Sequence, residues 1–338
     1  CNYRCVFCFE TDTTFTDKKN GFMGKIKFDL FKDQPSNNRV HFLKFLATKS
    51  NIKIMNDDVN VSLKKWLDST KKRVNWVPDI IIYYFLSVAD VWVNIAIKDF
   101  NSIIPNTPRY MIFEDHYYYE MGIKLYKKYN FKMLIKPTKH LPSEKKYQLA
   151  NVKFKIWDFY FDKDIFKNYS KGNFKYHLLL YGFIHPDAYP LRLKYFQVLK
   201  FLNEKSNLKI KYIHRPGYFG DEVKKLPKNE ELSKIISEAR FTLVSSSVKK
   251  LFLKKYYEVP LSGSTIIGDI PEGYNKDLND KIISIDYNSN HNQIIEKIKE
   301  AVNNKYLNIE KNSRIWGEKL RDSQTFEKGY IKLNELLN

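Results

Sequence analysis

Apolar and polar residues alternate along the chain in blocks that predict strands and helices in turn. From Lys25 onward, short apolar runs such as NIKIMN (51–56) and DIIIYYFL (79–86) predict strands, and the amphipathic stretch EMGIKLYKKYN (120–130) predicts a helix. After the polar stretch KNYSKGN the pattern restarts: HLLLYGF, LKIKYIH, ARFTLVSS and STIIGDI predict strands, and PLRLKYFQVLKFLNEKS, ELSKIISEA and VKKLFLKKYYE predict helices. Such alternation predicts an α/β protein with parallel sheets covered on both faces, here as two doubly wound halves in series.

The restart of the pattern divides the 338-residue chain into three predicted parts. Residues 1–22 form a cysteine-containing N-terminal segment and linker, residues 23–168 a first Rossmann-like domain, and residues 169–338 a second one. The last helix is a candidate to cross back to the first domain. Because the chain begins with Cys rather than Met, we expect a fragment or a processed product.

Composition narrows the class of protein. Hydrophobic residues make up 43% of the chain and aromatic residues 16%, which is typical of a globular protein. No apolar run reaches the roughly 18 residues of a membrane span, and no secretory signal is recognisable. The three cysteines lie together and give no disulfide framework. We therefore expect a cytoplasmic protein without a membrane span.

The formal net charge of +20 raises the possibility of a polyanionic partner. The cations are mostly lysines scattered among Asn and Ile, and the chain has no Arg-rich tract, zinc finger or RNA-recognition signature. A solvated lysine-rich surface is therefore the favoured interpretation. A basic nucleic-acid-binding protein remains an alternative.

The N-terminal CNYRCVFC contains all three cysteines: Cys1, Cys5 and Cys8. Its spacing resembles the loop that holds a [4Fe–4S] cluster in radical S-adenosylmethionine enzymes. The sequence that follows lacks the single barrel of strands that such an enzyme needs. A zinc site would need a fourth ligand, for which His41, His116 and His140 are candidates. We expect either a remnant of an upstream domain or ordinary cysteines, with a metal site as the weaker alternative.

The segment LFLKKYYEVPLSGSTIIGDIPEGY (251–274) carries the clearest chemical signal. A Lys, two aromatic residues and a Glu precede a short helix, a small-Gly-small turn and an apolar strand. This order resembles the donor site of GT-B glycosyltransferases, which have two Rossmann-like domains facing each other across a cleft. The resemblance implies that Glu258 accepts hydrogen bonds from both ribose hydroxyls of a nucleotide sugar and that Lys255 meets the diphosphate. An ionised carboxylate suits this role because it only accepts hydrogen bonds.

Other segments resemble the same family. YGFIHPDAYPLR and HRPGY follow or end predicted strands, where ligands of doubly wound sheets bind. FYFDKDIF (159–166) resembles the element between the two domains. The further donor-binding residues implied are Gly182, Arg192, Arg215, Tyr218, Ser262, Gly263 and Ser264. For HRPGY, an ordinary surface loop is an equal alternative.

The first half supplies the candidate base in FEDHYYYE (113–120). His116 could remove the proton of an acceptor hydroxyl if the enzyme inverts, with Asp115 orienting it, or Asp115 could itself be the base. Asp115 would equally suit a helix N-cap. Many retaining members of the family carry a Glu where this chain has Lys250, so the stereochemical outcome stays open.

A second reading of FYFDKDIF places Mn²⁺ on Asp162 and Asp164, as in GT-A glycosyltransferases. That fold would not account for a second doubly wound half. The favoured expectation is thus a GT-B glycosyltransferase of glycan biosynthesis that uses a UDP-linked sugar without an essential metal or other cofactor. Its acceptor would be a glycan, a protein or a small molecule.

Overall fold

The computed structural model describes residues 4–9, 45, 51–56, 80–85, 106–113, 118–215, 227 and 229–337. For residues 4–9, 51–56 and 83–85 and for Arg215 it describes the backbone alone. The chain divides into two compact units. Unit 1 comprises Cys1–Lys32, Leu43–Asp158 and Tyr330–Asn338, and unit 2 comprises Asp33–Phe42 and Phe159–Gly329. Unit 2 thus resumes at Phe159 rather than at residue 169, and the end of the chain belongs to unit 1.

Unit 1 contains a parallel sheet with the strand order β2-β1-β3-β4-β5-β6 among the described residues. The strands are β1 (Arg4–Phe9), β2 (Asn51–Asn56), β3 (Ile80–Phe85), β4 (Arg109–Phe113), β5 (Met133–Lys136) and β6 (Phe154–Ile156). Helices α1 (Tyr119–Lys128) and α2 (Leu141–Leu149) follow β4 and β5. Met111, Leu134 and Tyr147 lie in one buried apolar cluster of this unit.

The N-terminal cysteine segment is not a linker throughout. Arg4–Phe9 forms a strand inside the first sheet, paired in parallel with β2 on one side and β3 on the other. Its sequence RCVFCF is a short apolar run, and free cysteine behaves in proteins as a small apolar residue. Assigning residues 1–22 to a segment and linker outside the first domain concealed this strand. Cys1 lies outside the described residues.

Unit 2 contains a second parallel sheet, in the order β11-β10-β9-β7-β8. Its strands are β7 (Tyr176–Phe183), β8 (Ile210–Arg215), β9 (Ala239–Val244), β10 (Thr265–Gly268) and β11 (Ile283–Ser284). The helices are α3 (Pro190–Lys205), α4 (Asn229–Ser237), α5 (Lys255–Leu261), α6 (Asn275–Leu278), α7 (His291–Val302), α8 (Leu307–Ser323) and α9 (Phe326–Leu337). The last residues of α9 belong to unit 1, where the Leu337 carbonyl accepts a 2.7 Å hydrogen bond from the Tyr110 hydroxyl.

Both faces of the second sheet are covered, and side chains of β7 alternate between them. Leu178 and Leu180 pack in the cluster that contains α3 and α7. Leu179 and Tyr181 pack in the opposite cluster, with α4, α5 and α8. The period of two along a strand therefore points Tyr181 toward the face of the sheet that α5 covers.

Helix α5 is shorter than the sequence pattern predicts. The helix expected over VKKLFLKKYYE begins only at Lys255. Upstream, Lys250 adopts a φ of +53°, and its carbonyl accepts a 3.1 Å hydrogen bond from the Glu272 amide. A residue in the left-handed conformation interrupts helical hydrogen bonding. Leu251 and Phe252 therefore lie in an irregular segment before the helix, and their apolar side chains are buried there. No helix among the described residues is long and apolar enough to cross a lipid bilayer.

Candidate active site

The order of the second sheet defines where a ligand would bind in unit 2. The chain leaves β7 for the neighbouring strand β8 and returns on the other side of β7 as β9. In doubly wound sheets, ligands bind outside the carboxyl ends of the strands at such a reversal. The polar residues around the ends of β7 and β9 therefore form the candidate site.

Glu258 projects from α5 to the end of β7. Its Oε2 accepts a hydrogen bond of 2.9 Å from the hydroxyl of Tyr181. Burial raises the pKa of the Glu258 carboxyl, whereas the Tyr181 hydroxyl and the ammonium groups of Lys254 and Lys255 oppose that rise. Each of these three groups stabilises the ionised carboxylate. One oxygen of this half-buried carboxylate is thus fixed by the Tyr181 hydroxyl.

Lys255 occupies the first turn of the same helix and meets the same tyrosine. Its Nζ donates a hydrogen bond to the backbone carbonyl of Tyr181 and lies 4.0 Å from the centre of the Tyr181 ring. These contacts hold the ammonium group at the carboxyl end of β7. A cation in this place can meet an anionic ligand at the reversal of the sheet.

Gly182 follows Tyr181 and adopts a φ of +107°, a conformation that favours glycine. A Cβ atom at this position would collide with Nζ of Lys255 and would lie 3.6 Å from an Nη atom of Arg192. The strand has no side chain at this position, one residue before its last, and two cations converge on the backbone there. This agrees with the predicted place of Gly182 at the end of the first strand of the second half.

Arg192 lies in the first turn of α3 and is only 3% exposed. Its Nη1 donates a 2.8 Å hydrogen bond to the Phe183 carbonyl, and its Nη2 a 3.3 Å bond to the Ser245 carbonyl. The guanidinium group therefore links the carboxyl ends of β7 and β9 across the reversal. The structure gives Arg192 this supporting role in addition to its positive charge, which the sequence alone could not show.

Asp269 is a buried carboxylate of this region that the sequence analysis missed. It follows β10, is 2% exposed, and accepts a 2.8 Å hydrogen bond from the Ser246 amide and a second bond from the Ser246 hydroxyl. The Tyr256 hydroxyl lies 2.8 Å from the Asp269 backbone carbonyl and 3.2 Å from its Oδ1, and both oxygens accept from it. Burial raises the pKa of Asp269, and the bonds from Ser246 and Tyr256 oppose the rise. An Asp directly after an apolar strand was the signal that could have identified it.

The turn Ser262-Gly263-Ser264 lies elsewhere. It precedes β10, so it belongs to the amino edge of a parallel sheet whose carboxyl edge holds Gly182 and Glu258. The hydroxyls of Ser262 and Ser264 lie 2.8 Å from those of Ser233 and Thr242, respectively. The structure therefore gives this predicted donor-binding turn a packing role: the Ser262 amide bonds to the Glu258 backbone carbonyl, and the two serine hydroxyls have partners other than the Glu258 carboxylate.

Several predicted residues have no described side chain. Arg215 ends β8 beside Phe183 of β7, but only its backbone is described. Tyr218, Asp115 and His116 lie outside the described residues. The predicted base therefore remains a prediction.

The alternative metal sites receive no support from the described part of the chain, where no three His, Cys, Asp or Glu side chains could share an ion. His41 and His116 lie outside that part, whereas His140 caps α2, its Nδ1 accepting from the Ser143 amide over 3.3 Å. Oδ1 of Asp162 accepts a 2.9 Å hydrogen bond from the Asp164 amide. The Asp162 carboxylate therefore takes part in a local turn.

Comparisons by sequence give no relative: no protein-family model and no curated protein matches the chain. Solved structures do match. HepE of Anabaena, in complex with UDP and glucose, has a TM-score of 0.57 at 10% identity, with 99% of each chain covered. Sucrose-phosphate synthase of Thermosynechococcus elongatus has a TM-score of 0.61 at 10% identity, with 99% of this chain and 98% of that one covered.

A glycosyltransferase from Rickettsia africae matches with a TM-score of 0.55 at 11% identity over 99% of this chain and 97% of its own. At such identities the likeness establishes the fold alone. Together with the two parallel sheets, it confirms the predicted α/β architecture of two Rossmann-like units, the GT-B fold. The GT-A alternative, which assigned Mn²⁺ to Asp162 and Asp164, is not favoured.

Proposed function

We propose that this chain is a glycosyltransferase that transfers a sugar from a UDP-linked donor to an acceptor. The observation that carries the proposal is the pairing of Glu258 and Lys255 on Tyr181 at the carboxyl end of β7. This is the place where a doubly wound sheet binds nucleotides. HepE, which shares the fold, was solved with UDP and glucose, and this supports UDP as the donor nucleotide.

Each group of the site has a role that suits its chemistry. Glu258 accepts hydrogen bonds from the 2′- and 3′-hydroxyls of the ribose, because an ionised carboxylate still has free lone pairs after it has accepted the hydrogen bond from Tyr181. Lys255 meets the diphosphate. When the bond between the anomeric carbon and the phosphate oxygen breaks, negative charge develops on that oxygen, and a fixed cation stabilises it. The bond pair stays with UDP, and the acceptor oxygen bonds to the anomeric carbon.

The role of the base rests on the sequence alone. We retain Asp115 and His116 as the candidates that remove the acceptor proton. Arg192 supports the backbone at the ends of β7 and β9, and its buried charge adds to that of Lys255. No metal is required by this scheme, because side-chain cations compensate the leaving group. A cytoplasmic location stays a prediction.

The test of the assignment is a double-mutant cycle measured by calorimetry. UDP and 2′-deoxy-UDP are titrated into the wild-type protein and into the Glu258→Gln variant, which keeps the size of the side chain. A hydrogen bond to a charged group contributes about 1.5–3 kcal/mol, so we expect Glu258→Gln to lower the affinity for UDP about 10- to 100-fold. The same substitution should lower the affinity for 2′-deoxy-UDP clearly less, because one of the two ribose hydroxyls is already missing from this ligand.

Two outcomes would contradict the assignment. Equal UDP affinity in wild type and Glu258→Gln would remove Glu258 from the site. Equal losses of affinity for UDP and 2′-deoxy-UDP would show that Glu258 does not contact the 2′-hydroxyl.

A thermal-shift series with nucleotide sugars, with and without Mn²⁺ or a chelator, tests the metal independence: the thermal stabilisation by the nucleotide sugar should persist when a chelator is present.

A further inference from the structure

Tyr181 contacts both of the groups that the proposed donor site uses. Its hydroxyl donates to Oε2 of Glu258 at 2.9 Å, its backbone carbonyl accepts from Nζ of Lys255, and its ring face lies 4.0 Å from that Nζ. Three different parts of one residue, the hydroxyl, the carbonyl and the ring, are thereby engaged. The segment YGFIHPDAYPLR begins with Tyr181, but a role was assigned from the sequence only to its Gly182 and Arg192.

The surroundings of Tyr181 keep it in one position. Its side chain is 5% exposed and packs in the cluster that joins β7 to α5. The residue before it and the residue two before it, Leu180 and Leu179, are almost completely buried on opposite faces of the sheet. A buried tyrosine in a packed strand has few alternative rotamers. The groups that are hydrogen-bonded to Tyr181 are therefore held at a fixed position relative to the sheet.

The hydroxyl of Tyr181 is a permanent donor. Burial raises its pKa, and the neighbouring Glu258 carboxylate raises it further. The hydroxyl consequently keeps its proton at neutral pH and always donates to the carboxylate. A carboxylate has about four lone-pair positions, and Tyr181 occupies one of them, so two ribose hydroxyls can still be accepted.

We propose that Tyr181 is a positioning residue of the donor site. Its hydroxyl orients Glu258, and its carbonyl and ring orient Lys255, so that both side chains already have their ligand-binding positions before the donor binds. The inference rests on the proposed function, because it assumes that Glu258 and Lys255 meet the donor. Groups that are ordered before binding lose less conformational entropy when the ligand arrives. Tyr181 thus joins the ribose-binding and diphosphate-binding groups into one preformed unit.

A packing role alone would give a different result, and Tyr181→Phe separates the two. The variant loses the hydroxyl but keeps the ring and the carbonyl. We expect UDP affinity to fall about tenfold. Tyr195→Phe is the matched control, since Tyr195 is also fully buried in unit 2 and its hydroxyl has no hydrogen-bond partner among the described residues. That control should leave UDP affinity unchanged.

The pH dependence supplies a readout that packing would not move. The charged or titratable groups that act on Glu258 are Tyr181 of β7 and Lys254 and Lys255 of its own helix region. Because the phosphates of UDP also titrate, the informative quantity is the ratio of UDP affinities between each protein and its Glu258→Gln counterpart. This ratio should rise with pH as Glu258 ionises. In Tyr181→Phe the midpoint should move about one pH unit upward, since the carboxylate has lost a donor.

Replacement of the Tyr181 side chain by 3-fluorotyrosine keeps the test decisive if Tyr181→Phe does not fold. The fluorinated phenol is a stronger donor of similar shape, so the midpoint should move downward. An unchanged midpoint in every one of these variants that folds, or an equal loss of affinity in Tyr195→Phe, would overturn the role of Tyr181. If Glu258→Gln itself left UDP affinity unchanged, the proposed function would fail instead, so the two failures are distinguishable.

Discussion

The two ends of the segment 255–264 have different roles, although they are close in sequence: one belongs to the proposed donor site and the other to a packed turn. Lys255 and Glu258 lie where α5 meets the carboxyl end of β7, and their polar groups contact Tyr181. Ser262-Gly263-Ser264 lies at the amino end of β10, and its hydroxyls pair with Ser233 and Thr242. A helix of this length carries the chain from one edge of the sheet to the other. A continuous motif can therefore combine a binding site with a packed turn.

The largest effect that would test this contrast is expected at Gly263. The residue has a φ of +86°, and a Cβ there would collide with the side chain of Asn168. A β-branched residue suffers both the strain and the clash, so Gly263→Val should lower the free energy of unfolding by about 3 kcal/mol. Urea denaturation measures this loss. UDP affinity of the folded fraction should stay within twofold of wild type, and a much larger loss of affinity would place the turn in the donor site.

Gly182→Ala is the matching change at the other edge. The new Cβ would displace the Lys255 ammonium from the Tyr181 carbonyl. We expect UDP affinity to fall about tenfold, or about 1.4 kcal/mol, and the free energy of unfolding to fall by about 1 kcal/mol because of the positive φ. Calorimetry and urea denaturation on the same sample compare the two losses. Unchanged UDP affinity would show that the position of Lys255 is irrelevant to the ligand.

The smallest effect is expected from Ser264→Ala. The change leaves the Thr242 hydroxyl without its partner in a buried place, which should cost about 1 kcal/mol of unfolding free energy. UDP affinity should not change. Ser262→Ala, which removes one of the partners of the Ser233 hydroxyl, serves as a second variant of the same kind. A loss of UDP affinity in either variant without a loss of stability would contradict the packing role.

The sequence predicted the architecture better than the contacts within the site. β2 has the predicted bounds 51–56, because an apolar run between polar residues is a local signal. The strand Arg4–Phe9 was missed, since residues 1–22 were assigned to a segment and linker outside the first domain. The start of α5 was misplaced because the backbone conformation of Lys250 depends on a bond from Glu272, 22 positions away.

Within the site, Glu258 and Lys255 were identified from a resemblance, whereas Tyr181 and Asp269 were not identified. Tyr181 lies 77 positions before Glu258, and no pattern within β7 distinguishes its hydroxyl from that of an ordinary core tyrosine. The bonds between Asp269 and Ser246 likewise depend on the neighbouring ends of β9 and β10. Such pairings are set by the order of the strands, which local periodicity does not encode.

The central claim is that Glu258 at the end of β7 binds the ribose of UDP. A crystal structure of the complex with UDP tests it most directly. The account predicts both ribose hydroxyls within about 3 Å of the Glu258 carboxylate, with the bond from Tyr181 retained. UDP bound away from the carboxyl ends of β7 and β9, with Glu258 touching Tyr181 alone, would contradict it.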